Sequence, residues 1–155
     1  MSDDFSVVGS LPLPKRLTSL IESGLWPRTH AEAQRQNLHS LVSVDRIHLF
    51  APEEDGIYLA GPPFCTIADR VADQRQGTFW SKWGALGEIS PDLAIDIGYF
   101  GLGSDTCIVL DYRQDRTNPS VMRLKWQNPR PNTWVRCAET FDEFADMLGL
   151  DKHEK

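Results

Sequence analysis

Cysteine is scarce in this chain: Cys65, Cys107 and Cys137 are an odd number, spread far apart over 155 residues. A disulfide framework calls for an even count and an oxidising compartment. None is expected, and each cysteine reads as a small buried hydrophobe within an apolar run. Long hydrophobic runs are missing too, since no stretch approaches the roughly 20 apolar residues of a membrane-spanning helix. The first ten residues carry Asp3 and Asp4 and no basic stretch leading into an apolar one, unlike a secretory signal. The expected location is the cytoplasm, without membrane contact.

Positive charge is in deficit. Sixteen Lys and Arg against 22 Asp and Glu leave a formal charge of −6, which gains nothing from phosphate contacts and counterion release. Direct binding of nucleic acid is therefore not expected. An acidic surface is ordinary for a solvated protein, and it equally suits the steering of a basic partner; composition leaves both open. Internal repeats and low-complexity linkers are absent. The length fits one domain, which at this size buries about two thirds of the surface its unfolded chain exposes, with no need of a metal or disulfide.

Signatures of chemistry are equally thin. His30, His39, His48 and His153 form no HExxH or i, i+4 pair. Asp96, Asp105 and Asp111 do not match a calcium loop, which places oxygens at alternate positions over about twelve residues. No metal or other cofactor is expected. Gly98, Gly101 and Gly103 invite comparison with a phosphate-binding loop, but such a loop opens a helix. Here the glycines lead into the strand-like run 106–112, and no Lys-Ser or Lys-Thr pair follows. Ser104 lacks the Gly-x-Ser-x-Gly elbow, and Cys65 has no base beside it in sequence. The glycines are left with a turn that needs positive φ, where Ser104 and Asp105 can bond to nearby backbone N–H groups.

What is present is a legible series of elements. Residues 1–10 read as a loose lead-in. Leu11-Pro-Leu-Pro14 opens a short helix whose Leu17, Leu20 and Ile21 recur at helical spacing, with Gly24 and Pro27 ending it. Thr29 and Glu32 form a capping box for a second helix running to about Leu38. Strands are expected at 41–50, 57–60, 93–100, 106–112, 121–126 and 134–138, with 64–73 either a strand edge or a short helix. Met122, Leu124 and Trp126 alternate with Arg123 and Lys125, the pattern of a half-buried strand. Thr140 and Glu143 cap a final helix with Phe141, Phe144, Ala145 and Leu148 on one stripe, stopped at Gly149. Helices packed on a largely antiparallel sheet make an α+β domain. Five tryptophans stand at 26, 80, 83, 126 and 134. Phe79, Trp80 and Trp83 share a face if 78–83 is helical, and an exposed Trp would serve as an interface anchor.

Four consecutive segments carry a resemblance: Asp96-Ile-Gly-Tyr-Phe-Gly-Leu-Gly-Ser-Asp105, Cys107-Ile-Val-Leu-Asp-Tyr-Arg113, Pro119-Ser-Val-Met-Arg-Leu-Lys-Trp126 and Trp134-Val-Arg-Cys-Ala-Glu-Thr-Phe-Asp-Glu-Phe144. Their order resembles the SUKH superfamily, which includes the Smi/Knr-type fungal cell-wall-synthesis regulators and many bacterial immunity proteins. The likeness spans about residues 93–150; this chain has Tyr99 where similar members carry an Asp. It implies an α+β, SUKH-like domain over 11–150, with 151–155 a tail, and a non-catalytic role in binding a protein partner. The leading expectation is an immunity protein neutralising a toxin, such as a basic nuclease. A regulatory scaffold for an endogenous protein, or a small enzyme using carboxylates near the glycine turn, are the alternatives. Tyr99, Asp105 and Trp80 are the candidate partner contacts.

Overall fold

The computed structural model describes residues 7–8, 11–37, 41–54, 56–69, 89–100, 107–125 and 133–150. Its C-terminal helix shows how sequence pattern becomes packing. Thr140 caps α4 (Phe141–Leu148; helices and strands are numbered among the described residues) by accepting from the Glu143 N–H, and Gly149 ends it in the left-handed region at φ 66°. Phe141, Phe144, Ala145 and Leu148 are all buried, as their i, i+3, i+4, i+7 spacing requires. The Glu143 side chain reaches the N–H of Glu139, one residue before the cap. Helix α2 (His30–Ala33), followed by a 3-10 turn (Gln34–Asn37), repeats the arrangement. Thr29 accepts from the Glu32 N–H, and Glu32 accepts from the N–H of Arg28.

Between these helices lies an antiparallel sheet of six strands: β3 (Tyr58–Leu59), β4 (Cys65–Thr66), β5 (Ala94–Tyr99), β6 (Cys107–Asp111), β7 (Ser120–Lys125) and β8 (Thr133–Ala138). The order is β3-β5-β6-β7-β8, and β4 also pairs with β5. β3 and β4 occupy successive parts of the same side of β5, through Tyr58↔Tyr99 and Cys65↔Asp96. The fold class is thus α+β.

Both faces of the sheet are buried. Ile95, Ile97, Ile108, Leu110 and Val121 join Trp26, Phe141, Phe144 and the Leu17, Leu20 and Ile21 stripe of α1 (Lys15–Glu22) in the larger core. Ala94, Cys107, Val109, Met122, Leu124 and Trp134 form a second cluster with Ile67 and Ile89. The half-buried pattern expected for 121–126 is corrected accordingly. Arg123 points away from the Met122 face yet is 3% exposed, because Glu53 supplies its counter-charge.

Two further expectations change. The supposed strand at 41–50 contains helix α3 (Val44–Ile47) and turns; Val42, Ile47 and Phe50 are buried while Leu41, Val44 and Leu49 stay exposed. The apolar residues there were too numerous to show which ones face the core. Before α1, Leu11–Pro12 is strand β2 rather than helix. It pairs with β1 (Val7–Val8), so part of the expected lead-in is ordered, and Pro14 is the helix cap. Tyr112, fully buried at the end of β6, donates its hydroxyl to the Pro12 carbonyl at 2.7 Å and so ties this hairpin to the sheet.

Candidate functional site

Of the three residues singled out from sequence, Tyr99 is described; Trp80 and Asp105 lie outside the described residues. Tyr99 owes its position to a bulge. Asp96 pairs with Val109 and Tyr99 with Cys107, but the register shifts between Asp96 and Gly98. Cys107 and Val109 are two apart on β6 and share a face, so the extra residue brings Asp96 and Tyr99 to that same face despite being three apart in sequence. The Tyr99 hydroxyl donates to Asp96 Oδ2 at 2.8 Å, and the Gly98 N–H donates to Oδ1 at 3.2 Å. Gly98 is required on steric grounds: a Cβ there would lie 2.8 Å from the Tyr58 carbonyl oxygen.

Asp96 is 2% exposed while Tyr99 is half-buried. The carboxylate therefore fixes the phenol through its hydroxyl, at the margin of the second cluster. Tyr58, directly across the ladder, brings its ring to 6.5 Å from Tyr99, tilted by 42°. The two tyrosines, with Ala60 and Gly61, form one side of a cleft of about 200 Å³, closed on the other by His30 and Ala33 of α2. Helix α2 is seated closely there, because Gly61 packs on the backbone of Thr29 with no room for a Cβ. His30 Nε2 lies 3.4 Å from the Pro63 carbonyl. Pockets that enclose drug-sized ligands run from about 300 to 1,000 Å³; this cleft has room for a single side chain.

Asp111, the other described carboxylate around the turn, is engaged. Asp111 accepts from the Arg113 guanidinium at 2.9–3.1 Å and from its backbone N–H. This pairing raises the Arg113 pKa above its ordinary value. At the far side of the sheet Arg123 donates through both terminal nitrogens to Glu53, and its Cζ lies 5.7 Å from the centre of the Phe100 ring. Burial favours the neutral form of Glu53. Hydrogen bonds from Arg123 and from its own N–H, with the charges of Arg123 and Lys125, outweigh that and hold its pKa below the ordinary 4.5. Beside this pair, burial pushes the Cys137 thiol up to about 12, with Arg123 acting against the shift and Glu53 with it. Among the described residues no group of three His, Cys, Asp or Glu is placed to hold a metal ion. No helix of the described residues is long and apolar enough to cross a membrane.

Sequence reasoning missed Tyr58 and His30 as cleft residues and the role of Asp96 as a brace. The signal for the brace is Asp-x-Gly-Tyr, but its meaning depends on the bulge, which only strand pairing creates. No family model, curated protein or solved structure matches the chain.

Proposed function

We propose that this chain is a non-catalytic protein-binding module of the SUKH type, an immunity protein that occupies a cognate toxin in the cytoplasm. The observation that carries this reading is the tyrosine cleft. Tyr99 is fixed by Asp96 and paired with Tyr58, so its ring loses little rotamer freedom when a partner covers it. Rigid aromatic anchors of this kind supply contact area at low entropic cost. Asp96 and Asp111 spend their oxygens on bonds within the fold, which favours binding over carboxylate catalysis at these two positions. The charge of −6 suits association with a basic toxin domain.

Whether a toxin is encoded beside this gene is the first test of the reading, and co-expression of the chain with that toxin is the second. The wild-type chain is expected to restore growth and to bind the toxin domain more weakly as salt is raised. Tyr58→Ala and Tyr99→Ala should each cost about 2 kcal/mol of binding, roughly 30-fold in Kd, with the fold intact by circular dichroism. Absence of protection by the wild-type chain would remove the immunity reading.

A further inference from the structure

Helix α2 and the 3-10 turn that follows it separate two depressions. His30, Ala33 and Gln34, at i, i+3 and i+4, line the tyrosine cleft. Glu32, Arg35 and Gln36 repeat the spacing about half a turn away and line a second depression of about 250 Å³. Leu25 and Pro27, which follow α1, and Leu41 complete its apolar side. Leu41 is 42% exposed, and with Val44 at 43% and Leu49 at 62% it gives residues 41–49 three of the four exposed large hydrophobics among the described residues. A lone exposed leucine needs no explanation. Leu41 is the one of the three that lines the apolar depression, where it adds exposed apolar surface to Leu25 and Pro27.

The charges at its lip are specific. Glu32 is engaged by Arg28, whose Nε donates to it at 3.1 Å. Arg35 is exposed and makes no ion pair among the described residues. Two arginines therefore face one glutamate here, on a chain whose overall charge is negative.

We infer that this second depression takes one large aliphatic side chain of a protein partner from a segment with an acidic residue next to it. The aliphatic group packs on Leu25, Pro27 and Leu41, and the carboxylate pairs with Arg35. A space of this size, below the range for drug-sized ligands, limits the occupant to a single side chain. The inference rests on the reading of the chain as a binding module and assigns the partner a second anchor, across α2 from the tyrosines.

The test is a titration of the full-length ¹⁵N-labelled chain with three capped tripeptides: Asp-Leu-Asp, Lys-Leu-Lys and Asp-Ala-Asp. The acidic leucine peptide should move the amide signals of Leu25, Gln36 and Leu41 saturably, with a Kd in roughly the millimolar range. The lysine peptide should bind about threefold or more weakly, the worth of an exposed ion pair, and the alanine peptide about tenfold more weakly. Arg35→Glu should reverse the preference between the charged peptides. Equal binding of both leucine peptides, or shifts that map elsewhere or do not occur, overturns the inference. A chain that protects cells yet shows no such shifts overturns this inference alone. One that shows them and fails to protect overturns the immunity reading and leaves this anchor standing.

Discussion

The β3 flank of the sheet and the β7–β8 side are held by different chemistry. At the β3 flank the outward backbone groups of Leu59 are taken by one neutral side chain. Gln36 donates to the Leu59 carbonyl and accepts from its N–H, both at 2.8 Å, so a side-chain amide stands in for a neighbouring strand. Trp26 Nε1 covers the next carbonyl, Ala60, at 2.8 Å. At the other flank β8 pairs with β7 alone among the described strands. There the chemistry is ionic: exposed Arg136 on β8 pairs with Glu139 just past the strand's end, and on the neighbouring β7 Arg123 pairs with Glu53 behind the sheet. A charged residue in an edge strand discourages unwanted strand pairing. The neutral plug depends on geometry and is indifferent to pH, whereas the ionic flank carries the pH dependence.

Breaking the ionic flank gives the largest expected effect, and it should be asymmetric. Glu53→Ala leaves Arg123 buried without its counter-charge and should cost about 3–5 kcal/mol. Arg123→Met removes the buried charge and leaves a half-solvated glutamate, so it should cost much less. Urea unfolding of the two variants decides; equal losses would mean that burial of Arg123 is not what makes the pair matter.

At the neutral flank, Gln36→Leu orphans the N–H and carbonyl of Leu59 and should cost about 2–3 kcal/mol. It also bares a strand edge, so sedimentation velocity should show concentration-dependent association that the wild type lacks. A monomeric variant of unchanged stability would show that the plug is dispensable.

Acid sharpens the contrast. Glu53 titrates at an ordinary 4.5 when unfolded and lower when folded. Its contribution is therefore complete above 4.5 and lost as pH falls through the folded value. The wild type should lose more stability than Glu53→Gln over that interval, while Gln36→Leu should follow the wild-type slope. Parallel pH curves for the wild type and Glu53→Gln would remove the linkage.

The helix caps give the smallest effects. Thr140→Ala deletes a bond to the Glu143 N–H and should cost about 1 kcal/mol. Ser43→Ala, at a cap whose side chain makes no such bond, should change stability by less than about 0.5 kcal/mol. Thermal unfolding of both variants compares them directly.

Legibility followed the range of the interactions. Thr29, Thr140, Gly149 and the apolar stripes of α1 and α4 were readable because each depends on neighbours within one or two turns. The stretch 41–50 was misread because Leu41, Val44 and Leu49 remain exposed among buried Val42, Ile47 and Phe50, which blurs both periodicities. Arg123 looked like the polar side of a strand because its partner lies 70 residues earlier. Tyr99 was named from sequence, but its cleft was not, since Tyr58 and His30 reach it only through strand pairing and the packing of α2.

The sequence by itself determined the α+β class, the caps and the final helix, all products of local spacing. Gly98, expected in a positive-φ turn, instead lies within β5 and serves the close approach of Tyr58, while Gly101 and Gly103 lie outside the described residues. Only the tertiary structure decided that Asp96 braces Tyr99, that Gln36 closes the β3 flank while Glu53 neutralises Arg123 behind β7, and that α2 with its 3-10 turn stands between two depressions. Those outcomes depend on a bulge, a register and contacts between distant residues. Side-chain periodicity carries no information about which distant group will complete a buried charge or an open strand edge.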